Sequence, residues 1–418
     1  MKALRTATLT SMWSSMWSSM RSSTWWQMLR HVLPVYLISR ACVLAGAAVV
    51  AAELRVDANL ADEQGLPLAD PHGTASVGSA TRPIVDVLTS WDGLWYMDIV
   101  RNGYPTDIPE NVTYHVDEAR AAFFPLFPLL GRWFDVLLPG GDSFAVLTMN
   151  AILGLIAVVL VGLIGQRLYG DRVGRTSATL AAIFPGSFVL SFAYSEALMI
   201  VLAAACLWSL IEHEWLAAGV FAALATATRP NGVALVVACG VAAFLAIRER
   251  REWQALVSLA LAPIGFVVFQ VWLGRHTGEA GAWFRVQREA WGEGASFGWT
   301  AIRNTGEAIA QPLTSPTDTI TALAVVATVA LVWMSWRARL PWVLTAYSWC
   351  VLALMLAPAT VTARPRFLYT AFPLLIGAAK WYEHRRREDE VVWSMTMAAS
   401  GAGLAALTGL YGVFGAIP

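Results

Sequence analysis

The chain is short of charge: aspartate, glutamate, lysine and arginine make up 14% of its 418 residues, against about a quarter in soluble domains. Lysine is nearly missing, with Lys2 and Lys380 its representatives, a bias typical of GC-rich genomes. Acidic and basic residues balance at 29 each, so no basic field is available to hold nucleic acid, which is excluded as a partner. The four cysteines, Cys42, Cys206, Cys239 and Cys350, lie far apart in apolar segments. They form neither a disulfide framework nor a metal-ligand spacing and read as small buried residues. His72, His115 and His276 are scattered without zinc spacing. The polar stretches that punctuate a soluble protein are confined to a few places.

What is present is apolar: 57% hydrophobic residues and a mean hydropathy of +0.55. Runs of about 20 apolar residues recur, long enough to cross a bilayer as helices. They are continuous, without the period-two alternation of a barrel strand. The class is therefore an all-α polytopic membrane protein. Runs near 32–52, 143–166, 174–194, 196–211, 215–230, 232–247, 254–274, 317–336, 341–358, 366–381 and 391–414 predict roughly eleven crossings. Residues 1–31, with the tandem Met-Trp-Ser-Ser and no aliphatic core, do not fit a signal peptide. They read as a disordered cytoplasmic tail before an uncleaved signal-anchor, and residues 32–418 as a single membrane domain.

The segment Phe123–Leu138 is ambiguous, being short, twice interrupted by proline, and carrying Arg132 and Asp135. The positive-inside rule arbitrates. If this segment lies in the interface without crossing, the arginine clusters at 167–175, 248–251, 337–339 and 380–387 all fall on the cytoplasmic side. The loops 53–142 and 275–316, Tyr194-Ser-Glu196, Arg229-Pro-Asn-Gly232 and Arg364-Pro-Arg366 then share the extracytoplasmic face of a plasma-membrane protein.

The strongest local motif is Ser90-Trp-Asp-Gly-Leu-Trp-Tyr96. Ser90 is expected to cap a helix with Asp92 in its first turn, where the helix dipole stabilises a carboxylate as proton acceptor or metal ligand. Trp91 and Trp95 offer flat surfaces for a sugar ring or, on the plainer reading, for an aromatic belt. Glu196 and Arg229 are costly near a bilayer unless they pair or line a wet cavity; a structural ion pair between them is the plainer reading. Arg229, Arg364 and Arg366 suit a phosphate or pyrophosphate, which guanidinium binds bidentately. Trp283-Phe-Arg-Val-Gln287 with Trp291 reads as a cover over a carbohydrate site. Asp92, Asp98, Asp117, Glu118 and Glu196 could supply metal oxygens, but Asp92 and Asp98, six apart, do not share a helix face. No cofactor is expected, and a divalent metal is not favoured.

In order, Trp91-Asp92, Gly103-Tyr104, Phe123-Phe-Pro-Leu-Phe-Pro128, Tyr194-Ser-Glu196, Arg229-Pro-Asn-Gly232, Gln287 and Arg366 ahead of Phe372-Pro373 resemble the PIG-V family. That family comprises the second mannosyltransferase of glycosylphosphatidylinositol assembly and its bacterial relatives. The resemblance covers about residues 85 to 375 and implies a GT-C glycosyltransferase fold and a polyprenyl-phosphate sugar donor, with mannose the expected sugar. It implies a lipid or glycan acceptor in the cell envelope, and Asp92 as the catalytic carboxylate of the first outer loop. Trp91, Trp95, Tyr96, Glu196, Arg229, Asn231, Gln287, Arg364 and Arg366 would bind donor or acceptor among membrane lipids. A transporter and a lipid-linked glycan ligase or flippase are the rivals. Against a transporter, the spans show no paired broken repeats.

Overall fold

The computed structural model describes residues 24–63, 82–312, 314–360, 362–384 and 390–414, with the backbone alone described for 54–63 and 82. Most of the expected tail, His72 and Arg385 to Arg387 lie outside the described residues. Among those described the fold is all-α, its one β-contact being an isolated bridge between Ala295 and Pro358. Seventeen helices are used below, in chain order. They are α1 (Thr24–Glu63), α2 (Arg82–Leu88), α3 (Asp92–Asn102), α4 (Leu126–Leu137), α5 (Asp142–Tyr169) and α6 (Asp171–Ile183). Next come α7 (Glu196–Ile211), α8 (Trp215–Thr226), α9 (Val233–Arg250), α10 (Ile264–His276), α11 (Ala282–Trp291) and α12 (Trp299–Ala310). The last are α13 (Pro316–Ala338), α14 (Trp342–Leu356), α15 (Pro365–Thr370), α16 (Pro373–Glu383) and α17 (Glu390–Gly412).

Every apolar run picked out in the sequence is helical over at least part of its length, because backbone polar groups in lipid must be satisfied within their own segment. Among the described residues six stretches are long and apolar enough to cross: Thr24–Glu53, Asp142–Tyr169, Pro230–Arg250, Trp253–His276, Pro316–Ala338 and Glu390–Gly412. Others differ from the expectation of continuous spans. Helices α7, α8 and α14 have 16, 12 and 15 residues, or about 24, 18 and 22 Å at 1.5 Å per residue. The 174–194 run stops being α-helical at Ile183 and continues as a 3₁₀ turn over Pro185–Leu190. The 366–381 run is split into α15 and α16 ahead of Pro373. Proline removes a donor and clashes with the preceding turn, so helices stop or restart where it stands.

Together with the interruption at Arg229-Pro230, these breaks flank the segments that carry Tyr194-Ser-Glu196 and Arg364-Pro-Arg366. Irregular backbone at membrane depth is tolerated only when enclosed in protein or lining a wet cavity. The sites of the breaks are therefore the sites to inspect for chemistry.

Two further expectations are corrected. The first helix begins at Thr24, taking in the last eight residues of the expected tail, and runs through Pro34. Ser90 does not cap α3: its hydroxyl donates to the Val87 carbonyl at 2.8 Å, and Trp91 occupies the cap position. Helix α4, within the ambiguous Phe123–Leu138, has 12 residues, or about 18 Å, too short for a core of about 30 Å. Its exposed face carries Leu129, Trp133, Val136 and Leu137, and its inner face buries Phe127 and Gly131.

Helix α5 packs against α1, α4, α6 and α7 at the centre of the bundle. Close approach depends on small residues, as is general for helices in lipid. Gly186 is the sharpest case: a Cβ there would overlap the Pro365 carbonyl, so only glycine lets the 3₁₀ turn seat α15. Beside it Arg40 of α1 is buried, with no carboxylate partner among the described residues. It donates to the Ser187 carbonyl at 2.7 Å, Ser187 Oγ at 2.9 Å, Ser191 Oγ at 3.0 Å and the Ala182 carbonyl at 3.3 Å. A cation at the end of α6 offsets the negative pole of that helix and takes up its free carbonyls.

Candidate active site

Asp92 is the first residue of α3 and lies beyond a strained link. Trp91 has φ 55° and ψ −126°, a region that favours glycine and costs a side-chain-bearing residue about 1–3 kcal/mol. The strain turns the Trp91 indole away, where its Nε1 donates to the Tyr411 carbonyl at 2.8 Å and its ring lies 4.8 Å from Phe414. Asp92 faces the opposite way, into a cavity of about 350 Å³. One turn later, on the same helix face, Tyr96 also reaches the cavity wall.

Three broken helices deliver the partners of Asp92. Glu196 opens α7, Arg229 precedes the 3₁₀ turn before α9, and Arg366 lies in the first turn of α15. Arg366 Nη1 donates to Asp92 Oδ2 at 2.7 Å and stands 3.9 Å from Glu196 Oε1. Arg229 Nη1 lies 2.8 Å from Glu196 Oε2, and its Nη2 lies 4.0 Å from Asp92 Oδ2. The four charges alternate in sign around a closed ring, two tight contacts and two loose ones. The plainer reading of Glu196 with Arg229 as an ion pair is present, and it is joined to Asp92 and Arg366 in one network.

Glu196 is fully buried, and Arg229 and Arg366 nearly so, whereas the Asp92 side chain keeps 18% of its surface exposed. Taking four charges out of water is costly, and mutual pairing offsets that cost. Neither Glu196 oxygen accepts a well-aligned hydrogen bond, so the fields of the two guanidiniums hold it. The Arg366 guanidinium also lies over Phe367 at 4.7 Å and Tyr194 at 5.5 Å, which stabilises a cation further. Arg229 Nη1 donates to Ser195 Oγ at 3.0 Å, and Ser195 Oγ is 2.6 Å from the Tyr96 hydroxyl. Burial pushes the Tyr96 phenol up to about 12, so it stays neutral and is no base in the neutral range.

The facing wall is aromatic. Helix α11 points Trp283, Gln287 and Trp291, spaced four apart, at the cavity, the spacing that puts residues on one helix face. The Ala122 carbonyl takes hydrogen bonds from Trp283 Nε1 at 2.9 Å and Gln287 Nε2 at 3.3 Å. The opposite face of α11 is strapped to the loop that follows α3. Arg285 donates to the Pro109 carbonyl at 2.9 Å, and Glu289 accepts from the Val112 amide at 3.3 Å. Phe123 and Phe124 complete the aromatic wall, and Leu354, Met355 and Phe367 add apolar surface.

The structure thus brings Asp92, Tyr96, Arg229, Asn231, Gln287 and Arg366 to one cavity, with Glu196 buried just behind it. It does not bring Trp91, Trp95 or Arg364 to the wall. Trp95 is packed behind it, 4.7 Å from Tyr114, 5.5 Å from Phe123 and 5.7 Å from Trp291. Arg364 is buried beyond the site, donating to Thr321 Oγ1 and to the Ala363 carbonyl. Two residues not expected from the sequence belong to the site. Ser195 links Tyr96 to Arg229. Glu293, at the rim, accepts from the Ala359 amide at 2.9 Å and Thr360 Oγ1 at 2.5 Å, tying the loop after α11 to the loop after α14.

No cluster of three or more histidine, cysteine, aspartate or glutamate side chains suited to a metal occurs among the described residues. Asp98, Asp117 and Glu118 stand apart from Asp92. Asp98 pairs with Arg120 at 3.1 Å, Glu118 accepts from the Thr113 amide at 2.7 Å, and Asp117 does not reach the cavity wall.

A family model described as dolichyl-phosphate-mannose-protein mannosyltransferase matches residues 125–274. No curated protein matches the chain. Among solved structures, the chain is similar to ArnT from Cupriavidus metallidurans in the apo state, at 15% identity over 77% of this chain and 64% of that one, with a TM-score of 0.47. It is also similar to the Archaeoglobus fulgidus oligosaccharyltransferase tethered to an acceptor peptide, at 14% identity, 95% and 56% coverage and a TM-score of 0.44. A third similarity is to AglB of that organism in complex with an inhibitory peptide and a dolichol-phosphate, at 14% identity, 89% and 54% coverage and a TM-score of 0.41. The chain spans about half the length of the oligosaccharyltransferase structures it matches.

Proposed function

We propose that this chain is a GT-C-type membrane glycosyltransferase that takes a sugar, mannose on our reading, from a polyprenyl-phosphate donor. The acceptor is a lipid-linked or envelope glycan hydroxyl at the extracytoplasmic face of the plasma membrane. The observation that carries the reading is Asp92 on the wall of a cavity, within 4.0 Å of two guanidiniums, opposite a wall of aromatic rings. The family-model match over residues 125–274 supports the same class of donor and sugar, and the ordered PIG-V-like motifs support the fold.

The chemistry asked of these residues is modest. The acceptor hydroxyl attacks the anomeric carbon, and its proton passes to an Asp92 carboxylate oxygen. The bond from the anomeric carbon to the phosphate oxygen breaks, and its electron pair leaves on the lipid phosphate. That leaving group is already a stable anion, so no general acid is required. Arg366 and Arg229 stabilise the charge gathering on the phosphate, and such aimed electrostatics is usually a large catalytic term. As the phosphate draws Arg366 toward itself, the 2.7 Å contact with Asp92 loosens and the carboxylate becomes free to take a proton. The guanidiniums supply the positive charge, and the reading calls for no cofactor. One displacement inverts the anomeric centre. Trp283, Trp291 and Phe123 offer flat surfaces against the sugar, with Asn231 and Gln287 as its amide partners.

The test is reconstitution of the full chain in proteoliposomes with purified polyprenyl-phosphate mannose and extracted envelope glycolipids. Free polyprenyl phosphate released mole for mole with mannose transferred is the expected result. Passage of the intact donor across the bilayer without release would make the protein a flippase or transporter. Turnover of a pyrophosphate-linked donor alone would make it a ligase.

A further inference from the structure

Helix α5 is the most continuous apolar span of the chain, yet a single asparagine, Asn150, interrupts it and is fully buried. It lies eight residues into the helix, or about 12 Å from its start. A side-chain amide at such depth is costly in a membrane protein and persists where it has specific partners. Here Asn150 Nδ2 donates to the Tyr194 carbonyl at 2.8 Å and to the Phe192 carbonyl. Its Oδ1 has no hydrogen-bond partner, so half of the amide's desolvation is left uncompensated, and a leucine would fill the same volume without that cost. The two carbonyls belong to the irregular segment between the 3₁₀ turn and α7. The segment is also tied by the Ala193 amide to the Leu88 carbonyl at 2.8 Å, just before α3, and by the hydroxyls of Ser191 and Ser195 to Arg40, Tyr96 and Arg229. Two residues beyond Tyr194 the chain becomes Glu196.

We infer that Asn150 is a positioning residue for the charge ring, holding the Phe192–Tyr194 segment so that Glu196 meets Arg229 and Arg366. Its reach is indirect but short. Ser195, next along, receives the Arg229 hydrogen bond, and Glu196 fixes both guanidiniums between itself and Asp92. A shift of the segment moves Glu196, and the arginines follow it away from the cavity. The catalytic consequence rests on the glycosyl-transfer reading above; the structural one does not.

Asn150→Leu is the discriminating change, because it makes the span more apolar and favours insertion. If Asn150 positions the ring, kcat falls by about 10–100-fold while donor KM stays within about two-fold, as misplacement of reacting groups does. Asn150→Gln, which keeps an amide donor, recovers part of the loss. Hydrogen exchange of amides 191–196 rises in Asn150→Leu, with exchange in α5 itself unchanged. Unaltered kcat and unaltered exchange in Asn150→Leu overturn the inference. So does an equal loss in Asn150→Leu and Asn150→Gln accompanied by loosening of the whole of α5. If the wild-type chain transfers no sugar, the functional reading falls, and the exchange measurement still decides the role of Asn150.

Discussion

Two buried arginines in this chain stand at helix breaks and are satisfied in opposite ways. Arg40 gives its hydrogen bonds to carbonyls and serine hydroxyls around the end of α6 and meets no carboxylate among the described residues. Arg366 pairs with Asp92 at 2.7 Å, faces Glu196 at 3.9 Å, and borders a cavity. Neutral acceptors surround Arg40 completely and leave it nothing to exchange. That is the arrangement of a fastening, here between α1, α6 and the 3₁₀ turn. Arg366 belongs to a ring of four charges with two loose contacts, at the wall of a cavity that an anion could enter. Both residues are costly to bury, and only one is placed where a substrate can share that cost.

The largest break in this comparison comes from the acid that Arg366 holds. Asp92→Asn keeps size and a hydrogen-bond acceptor but cannot take a proton, and transfer should drop by about 10²–10⁴. Steady-state turnover of the purified variant in proteoliposomes measures it, with thermal unfolding to show that the fold survives. Near-normal transfer would remove Asp92 from the reaction. The two arginines then separate under the same substitution. Arg366→Lys should lower kcat by about 10–100-fold, since ammonium lacks the planar fork that serves carboxylate and phosphate together. Arg40→Lys should instead lower stability, by about 1–3 kcal/mol for the lost hydrogen bonds, while each folded molecule turns over at close to the wild-type rate. A reversed pattern would exchange the roles assigned to the two sites.

The smallest expected effect concerns the hydroxyl link beside the ring. Tyr96→Phe removes one hydrogen bond to Ser195, worth about 0.5–1.5 kcal/mol, and should slow transfer only a few-fold. Burial disfavours the phenolate, so the hydroxyl is neutral until about pH 12. The pH–rate profile of Tyr96→Phe should therefore keep the wild-type shape across the neutral range. A lost inflection would give Tyr96 an acid–base role.

The helical membrane fold was legible in the sequence because length and polarity of a run decide whether it can cross lipid, with little help from tertiary context. Where those runs break was less legible. Pro185 and Pro373 each interrupt an apolar stretch and Pro230 ends one, and hydropathy averages over a single proline. The charge ring was partly legible: Asp92, Glu196, Arg229 and Arg366 stand out as ionisable residues in or beside apolar segments. Arg364 stands out equally and yet goes elsewhere, because Pro365 starts a helix and Arg364 remains in the extended backbone before it. Trp91 and Trp95 flank Asp92, but the turn at Trp91 sends one indole outward and the helix packs the other behind Phe123. Glu293, Asn150 and Arg40 carry no motif, and Ser195 sits inside Tyr194-Ser-Glu196 without a role that the motif names. For Asn150 and Arg40 the available signal was the cost of a lone polar residue in an apolar span, a signal that says a partner exists without naming it.

The central claim is a single displacement at the anomeric carbon beside Asp92, and the anomeric configuration of the product tests it most directly. With polyprenyl-phosphate mannose of known configuration and the wild-type chain, NMR of the purified product should show the opposite configuration at the transferred sugar. A product that keeps the donor's configuration would require two displacements and a covalent intermediate, and would contradict the account.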